Sequence, residues 1–324
     1  MKARAVVFLL AKAIFAAGIL FWLFSRIDGA ALLASLSSAK AGPIAAALFL
    51  CVAVIAVAAW RWLKLLSVFG IRSSLRELFS IVWIGQFFSM FLPGPLGDDA
   101  SRMVYISRIA PRQVGEACLS VLIDRGLGLC SVFVLCLFAV PLQWPLLAGN
   151  PQTFFLGGFA LAGGCAVAAV GILFLLFGRT SSGLGLFCLL PAGRLQMELL
   201  RLWNLAAQNK VLFLQVFCAA VVVQLLNCLI YWQAGLAIGV DLPLLAWINF
   251  VPVVLAANIL PVTIAGLGVR EYLVVLFLGV ANGVPEAQAM AASLIVFSLM
   301  VVASACGGLV FMIYRPKKTT DSVS

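Results

Sequence analysis

Long apolar runs recur along this chain, and they limit what it can fold into more than any other feature. Val114 to Val140, Thr153 to Phe177, Val211 to Gly235 and Glu286 to Tyr314 each exceed 20 residues. A helix of about 20 apolar residues crosses the ~30 Å hydrocarbon core of a bilayer. The whole chain is 65% hydrophobic and only 10% charged, against about 25% charged for a soluble domain. Strands of a membrane barrel would alternate in polarity, whereas these runs are continuous. The sequence therefore specifies an all-α polytopic membrane protein.

Two stretches interrupt this pattern in the same way. Leu92 to Arg102 reads L-P-G-P-L-G-D-D-A-S-R, and Leu260 to Glu271 reads L-P-V-T-I-A-G-L-G-V-R-E. In both, a Leu-Pro pair follows an apolar segment, and an arginine stands nine residues after the proline: Pro93 to Arg102 and Pro261 to Arg270. Proline lacks a backbone donor and glycine frees the backbone, so Pro93, Gly94, Pro95 and Gly97, then Pro261, Gly266 and Gly268, are expected to break helices. Broken backbone persists at membrane depth only where protein or a watery cavity satisfies it. Paired breaks in two halves of a chain point to a transporter-type binding site.

Charge gives the sidedness. Ala5 to Phe24 follows Lys2 and Arg4 and reads as a first span, too long for the apolar core of a signal peptide. Pro43 to Trp62 is the second; Arg61, Lys64, Arg72 and Arg76 place residues 61–77 in the cytoplasm. Leu78 to Leu92 has only 15 residues and leads into the mixed segment 97–110, so 78–110 is expected to enter and leave on the cytoplasmic side. Val114–Val140 runs outward, and Pro141–Gln152 has no Lys or Arg, which suits the outer face. Thr153–Phe177 returns. The link 178–210 carries Arg179, Arg194, Arg201 and Lys210 and is expected to be a cytoplasmic connection with an interfacial helix. Val211–Gly235 goes out, and a second hairpin is broken at Pro261. Glu286–Tyr314 comes in and ends at Arg315, Lys317 and Lys318.

This gives about six full transmembrane helices plus two re-entrant helical hairpins. They form one domain, 1–324, with 1–140 and 153–314 as halves of opposite orientation, an inverted-topology repeat. Both termini are expected in the cytoplasm, in the inner membrane of the cell.

Ionisable residues inside a membrane are expensive and point to function. Arg270 and Glu271 stand where a half-helix should start, a place that suits a phosphate. Asp98, Asp99 and Arg102 hold the matching place in the first hairpin, although an aspartate there also serves as an ordinary helix cap. Asp124 and Arg125 lie in mid-span. Neighbours on a helix point about 100° apart, so each needs a partner elsewhere: Arg125 with Asp98 or Asp99, and Asp124 with Arg102 or Arg270. Arg102, Arg125 and Arg270 are the candidate substrate-binding residues. Asp98, Asp99, Asp124 and Glu271 are their charge partners or proton carriers.

Gln224, Asn227 and Tyr231 share one helix face. Interhelical hydrogen bonding explains them, and lining of a pathway is the alternative. Trp60, Trp62 and Trp144 read as interface anchors. The glycine pairs at 157–158 and 163–164 read as close helix packing. The nine cysteines form no C-x-x-C pair and there is no histidine, so neither a disulfide framework nor a zinc site is expected. No nucleotide-binding loop is present, and no cofactor is expected. The net charge of +10 follows the ends of apolar runs and does not indicate nucleic acid; membrane lipids are the expected partners.

The motifs P-V-T-I-A-G-L-G-V-R-E (261–271), L-P-G-P-L-G-D-D-A-S-R (92–102) and I-D-R-G-L-G-L (123–129) resemble the transmembrane, flippase-like region of lysylphosphatidylglycerol synthases. The resemblance covers nearly the whole chain. It implies a lipid-handling, lipid-translocating membrane domain, with motif positions on Pro93, Gly97, Asp98, Arg102, Arg125, Pro261, Gly266, Gly268, Arg270 and Glu271. Asp124 stands where the family often has glutamate. The soluble aminoacyl-transferase domain of the synthases is not represented, so aminoacylation by this chain is not expected. Three functions remain: a flippase or transporter for an anionic lipid, a membrane-embedded lipid transferase, and a small-solute carrier or auxiliary subunit of a lipid-synthesis enzyme. Transport in liposomes separates the first from the last, and product formation in detergent marks the second.

Overall fold

A computed structural model of the chain describes residues 29–90, 96–142, 144–149, 151–177, 204–259 and 268–314. The expected first span Ala5–Phe24, residues 178–203 of the link, and the break residues Pro93, Gly94, Pro95, Pro261 and Gly266 lie outside the described residues. All regular structure among the described residues is helical: α1 (Gly29–Ser37), α2 (Ala41–Val68), α3 (Leu75–Phe88), α4 (Leu96–Ile109), α5 (Val114–Leu142), α6 (Trp144–Ala148), α7 (Pro151–Phe177), α8 (Lys210–Ala237), α9 (Leu244–Ile259), α10 (Val269–Asn282) and α11 (Glu286–Ile313).

Helix length divides these elements. Four helices, α2, α5, α8 and α11, have 28, 29, 28 and 28 residues and are apolar enough to cross a membrane. At 1.5 Å per residue each is about 42 Å long. The chain is thus a multi-pass membrane protein. By contrast α3, α4 and α10 have 14 residues each and α9 has 16, about 21–24 Å, which is too short to cross alone.

The short helices come in pairs, α3 with α4 and α9 with α10. Tyr314, just past α11, shows where the first pair begins and ends. Its hydroxyl donates to Glu77 in the first turn of α3 at 3.4 Å, and its ring meets Tyr105, near the end of α4, edge-on at 5.6 Å. Both ends of the pair therefore lie at one end of the molecule. Toward the other end, Gly97 presses on the Phe88 carbonyl so closely that a Cβ would collide with it. In the second pair, Phe250 and Phe277 stack at 5.6 Å.

Packing between early and late helices is reciprocal. The longest interface joins α2 to α8. They run antiparallel, since the Lys40 N–H just before α2 donates to the Ala237 carbonyl ending α8 at 2.8 Å. Helix α3 packs on α11 as α9 packs on α5, and α1 lies on α11 as α7 lies on α5. In a bilayer such contacts rest on close approach and hydrogen bonds rather than on water exclusion. At α3–α11, Trp83 Nε1 donates to the Ala303 carbonyl at 2.7 Å and Ser304 Oγ donates to the Gln86 carbonyl at 3.2 Å. At α5–α7, Gly163 and Gly164 lie against Phe133 and Leu137, the close packing expected of them.

Two expectations fail near the end of α2. The helix continues to Val68, beyond the Trp62 where the second span was expected to end, and Arg61 lies inside it and is buried. Trp62 is fully buried and donates to Ser120 Oγ at 3.1 Å, so it is no interface anchor. Trp60 and Trp144 are each 36% exposed.

Candidate functional site

Charged residues gather in two clusters, one beside each helix pair. The first draws on α2, α4 and α5. Arg61 donates through Nε and Nη2 to the two oxygens of Asp124, at 2.6 and 2.8 Å. Arg102 donates through Nη1 to Asp124 at 3.0 Å and through Nε to Asp98 at 2.7 Å. Asp98 and Arg102 meet because positions i and i+4 of α4 share a face. Arg125 donates to Asp98 at 3.3 Å and three times to Asp99, at 2.8, 3.1 and 3.2 Å.

The result is one line, Arg61–Asp124–Arg102–Asp98–Arg125–Asp99, in which three guanidiniums alternate with three carboxylates. Its formal charge is zero. Asp124 is ten residues into α5, about 15 Å from the helix start. Buried charges are tolerated when each is paired and hydrogen-bonded, and alternation achieves that. Exposure grades along the line. The side chains of Arg61, Asp124 and Arg102 are 8%, 3% and 8% exposed, those of Asp98 and Asp99 are 15% and 17%, and that of Arg125 is 42%. Arg102 also lies over the Trp62 ring, 5.5 Å from its centroid.

The second cluster is sealed: the Arg270 and Glu271 side chains are 1% and 0% exposed. Helix α10 starts after Gly268, whose φ of +85° suits glycine. The Glu271 carboxylate turns back to this start and accepts the Gly268 N–H at 2.6 Å. That turn brings its Oε1 within reach of Arg270, which donates Nε at 3.0 Å and Nη2 as well. Ser293 of α11 donates to the same oxygen at 3.4 Å. The guanidinium also contacts Met300 Sδ at 3.4 Å and lies 5.2 Å from the Phe297 ring centroid.

Between the clusters runs a polar contact of α8 with α5. Gln224 Nε2 donates to Ser131 Oγ at 3.3 Å and to the Gly128 carbonyl at 3.4 Å, and Asn227 Nδ2 donates to Gln224 Oε1 at 3.4 Å.

Several expected pairings are present: Arg125 with both Asp98 and Asp99, and Asp124 with Arg102. Asp98 and Asp99 lie inside the first turn of α4 and hold arginines there. Arg270 pairs with Glu271 and not with Asp124. Arg61 was missed. Its signal was present: Leu63, Leu65, Leu66 and Val68 continue the apolar run beyond it, and Asp124 needed a second partner.

Helices of spanning length, paired short helices and buried charges held in one line and one closed pair define a multi-pass helical membrane protein with a buried polar site. The chain belongs to the family described as lysylphosphatidylglycerol synthase TM region, which it matches over residues 8–308. Membership points to a function connected with membrane lipids. No curated protein matches the chain.

Proposed function

We propose that the chain is a flippase or transporter that moves an anionic lipid, of phospholipid or polyprenyl-phosphate type, across the cytoplasmic membrane. The alternating charge line is the observation that carries this reading, because its outermost guanidinium, that of Arg125, is left 42% exposed. Arg125 holds its carboxylates through a planar fork, the geometry that also takes two oxygens of a phosphate. An arriving head group replaces Asp99 on that fork, and Asp99 turns to water. Arg102, held by Asp98 and Asp124, supplies positive charge behind the site. Arg270 receives the head group from the opposite side, once the second hairpin moves and Glu271 yields its place.

This reading treats 1–324 as one transmembrane domain with six spans and two re-entrant hairpins. Residues 1–140 and 153–314 are the inverted halves, the cytoplasmic link 178–210 lies within the second, and both termini are cytoplasmic. The reciprocal packing of α3 on α11 and of α9 on α5 supports the repeat. The contact of Tyr314 with both ends of the α3–α4 pair supports re-entry. The test uses the purified chain in liposomes with a fluorescent acyl-labelled phosphatidylglycerol, read by quenching from outside. Faster translocation than in protein-free vesicles is expected. Rates no faster than in protein-free vesicles, for a panel of anionic lipids, would overturn the proposal.

A further inference from the structure

Gln224, Asn227 and Tyr231 follow one face of α8 over seven residues, a rise of about 10 Å. At one end, Gln224 bonds Ser131 and the Gly128 carbonyl of α5, one to two turns beyond Asp124 and Arg125. Gly128 itself faces the Arg61 guanidinium: a Cβ there would lie 3.8 Å from Nη1. Toward the other end, Tyr231 is buried, and α8 packs on α11, whose Ser293 and Met300 touch Glu271 and Arg270. This polar seam of α8 thus runs from the open cluster toward the helix that holds the sealed one.

The bonds in this seam are long. The three that involve Gln224 measure 3.3 to 3.4 Å, near the limit of a useful hydrogen bond. Nor does α5 depend on them, because Ser131 Oγ already donates to the Gly128 carbonyl at 2.7 Å. Loosely held amides are poor fasteners, yet they are donors free to change partner. A path must bind its cargo well enough to admit it and weakly enough to release it. Uncharged amide and hydroxyl donors between two sets of arginines meet that condition for a phosphate.

Resting on the translocation reading, we infer that the α5–α8 seam of Ser131, Gln224, Asn227 and Tyr231 is the track along which the head-group phosphate passes between Arg125 and Arg270. The seam opens as the two halves move, since α5 belongs to one and α8 to the other. Asn227 then donates N–H to phosphate oxygens in place of Gln224 Oε1, and Gln224 does so in place of Ser131 and the Gly128 carbonyl.

The test is the Gln224→Leu/Asn227→Leu double variant of the full chain, in liposomes with acyl-labelled phosphatidylglycerol. Translocation should fall at least tenfold. Binding of the same lipid in micelles should stay within twofold, and the unfolding temperature should not drop. The polar exchange Gln224→Asn/Asn227→Gln should keep at least a third of the parent rate. A double variant that translocates within twofold of the parent refutes the track alone. A parent that moves no lipid refutes the translocation reading, and the track with it. If the double variant does not fold, Tyr231→Phe decides: a threefold or greater loss supports the track, and an unchanged rate refutes it.

Discussion

At the first helix pair, Arg102 divides its guanidinium between Asp98 and Asp124, and the next arginine in the line reaches the surface. At the second, Arg270 spends its charge on the adjacent Glu271, whose other oxygen closes the helix start. The residue types are alike and the states are opposite. A line of six charges can lose its outermost contact and stay paired behind it. A single closed pair has nothing behind it, so it opens only when the surrounding helices move. The first cluster is therefore built to exchange a partner and the second to hold one. Removing single charges should reveal that difference.

Asp124 should be the most costly residue to remove. It holds Arg61 and shares Arg102 with Asp98, so Asp124→Ala strands Arg61 and leaves Arg102 on Asp98 alone. Breaking a buried pair costs roughly 3–5 kcal/mol, and this variant should reach or exceed the top of that range. Arg61→Ala should cost less, because Arg102 still pairs with Asp124. Chemical or thermal unfolding in detergent would show this order; equal losses would mean that Asp124 does not bridge the two arginines.

Next come the closed-pair variants. Arg270→Ala and Glu271→Ala each leave one buried charge alone and should each lose roughly 3–5 kcal/mol. Removing both should restore much of that loss, a strong coupling in a double-mutant cycle. Additive losses would contradict the pairing.

Trp62→Phe should have a smaller effect. It keeps a ring beside Arg102 but gives up the bond to Ser120. A hydrogen bond contributes about 1 kcal/mol net. Since Ser120 also bonds the Ala117 carbonyl, the unfolding temperature should fall only slightly. A collapse of the fold would show that Trp62 does more than pack.

Much of this was legible from residue order. Apolar runs announced the spans, because a bilayer leaves few alternatives. Charges in mid-span had to find partners, which led to Asp124 with Arg102 and to Arg125 with Asp98 and Asp99. Arg61 was concealed by its neighbours: beside Lys64, Arg72 and Arg76 it looks like one more cytoplasmic flank. Trp62, one residue from it, took the same disguise as an interface residue. The Arg270–Glu271 pair escaped for another reason. The 100° separation of neighbours holds in mid-helix, whereas at a helix start a glutamate can fold back to the cap and meet the arginine beside it. Sequence spacing also does not report exposure, which is what separates Arg125 from Arg270.

Arg125 should matter least for folding and most for transport, and that contrast tests the central claim. A partly exposed ion pair contributes about 0–1 kcal/mol, so Arg125→Ala should unfold close to the parent protein. In liposomes the same variant should translocate acyl-labelled phosphatidylglycerol at least tenfold more slowly, and Arg125→Lys, which keeps the charge without the fork, should fall between the two. The measurement is the translocation rate of these three proteins at matched reconstitution. A folded Arg125→Ala protein that moves the lipid as fast as the parent would contradict the account.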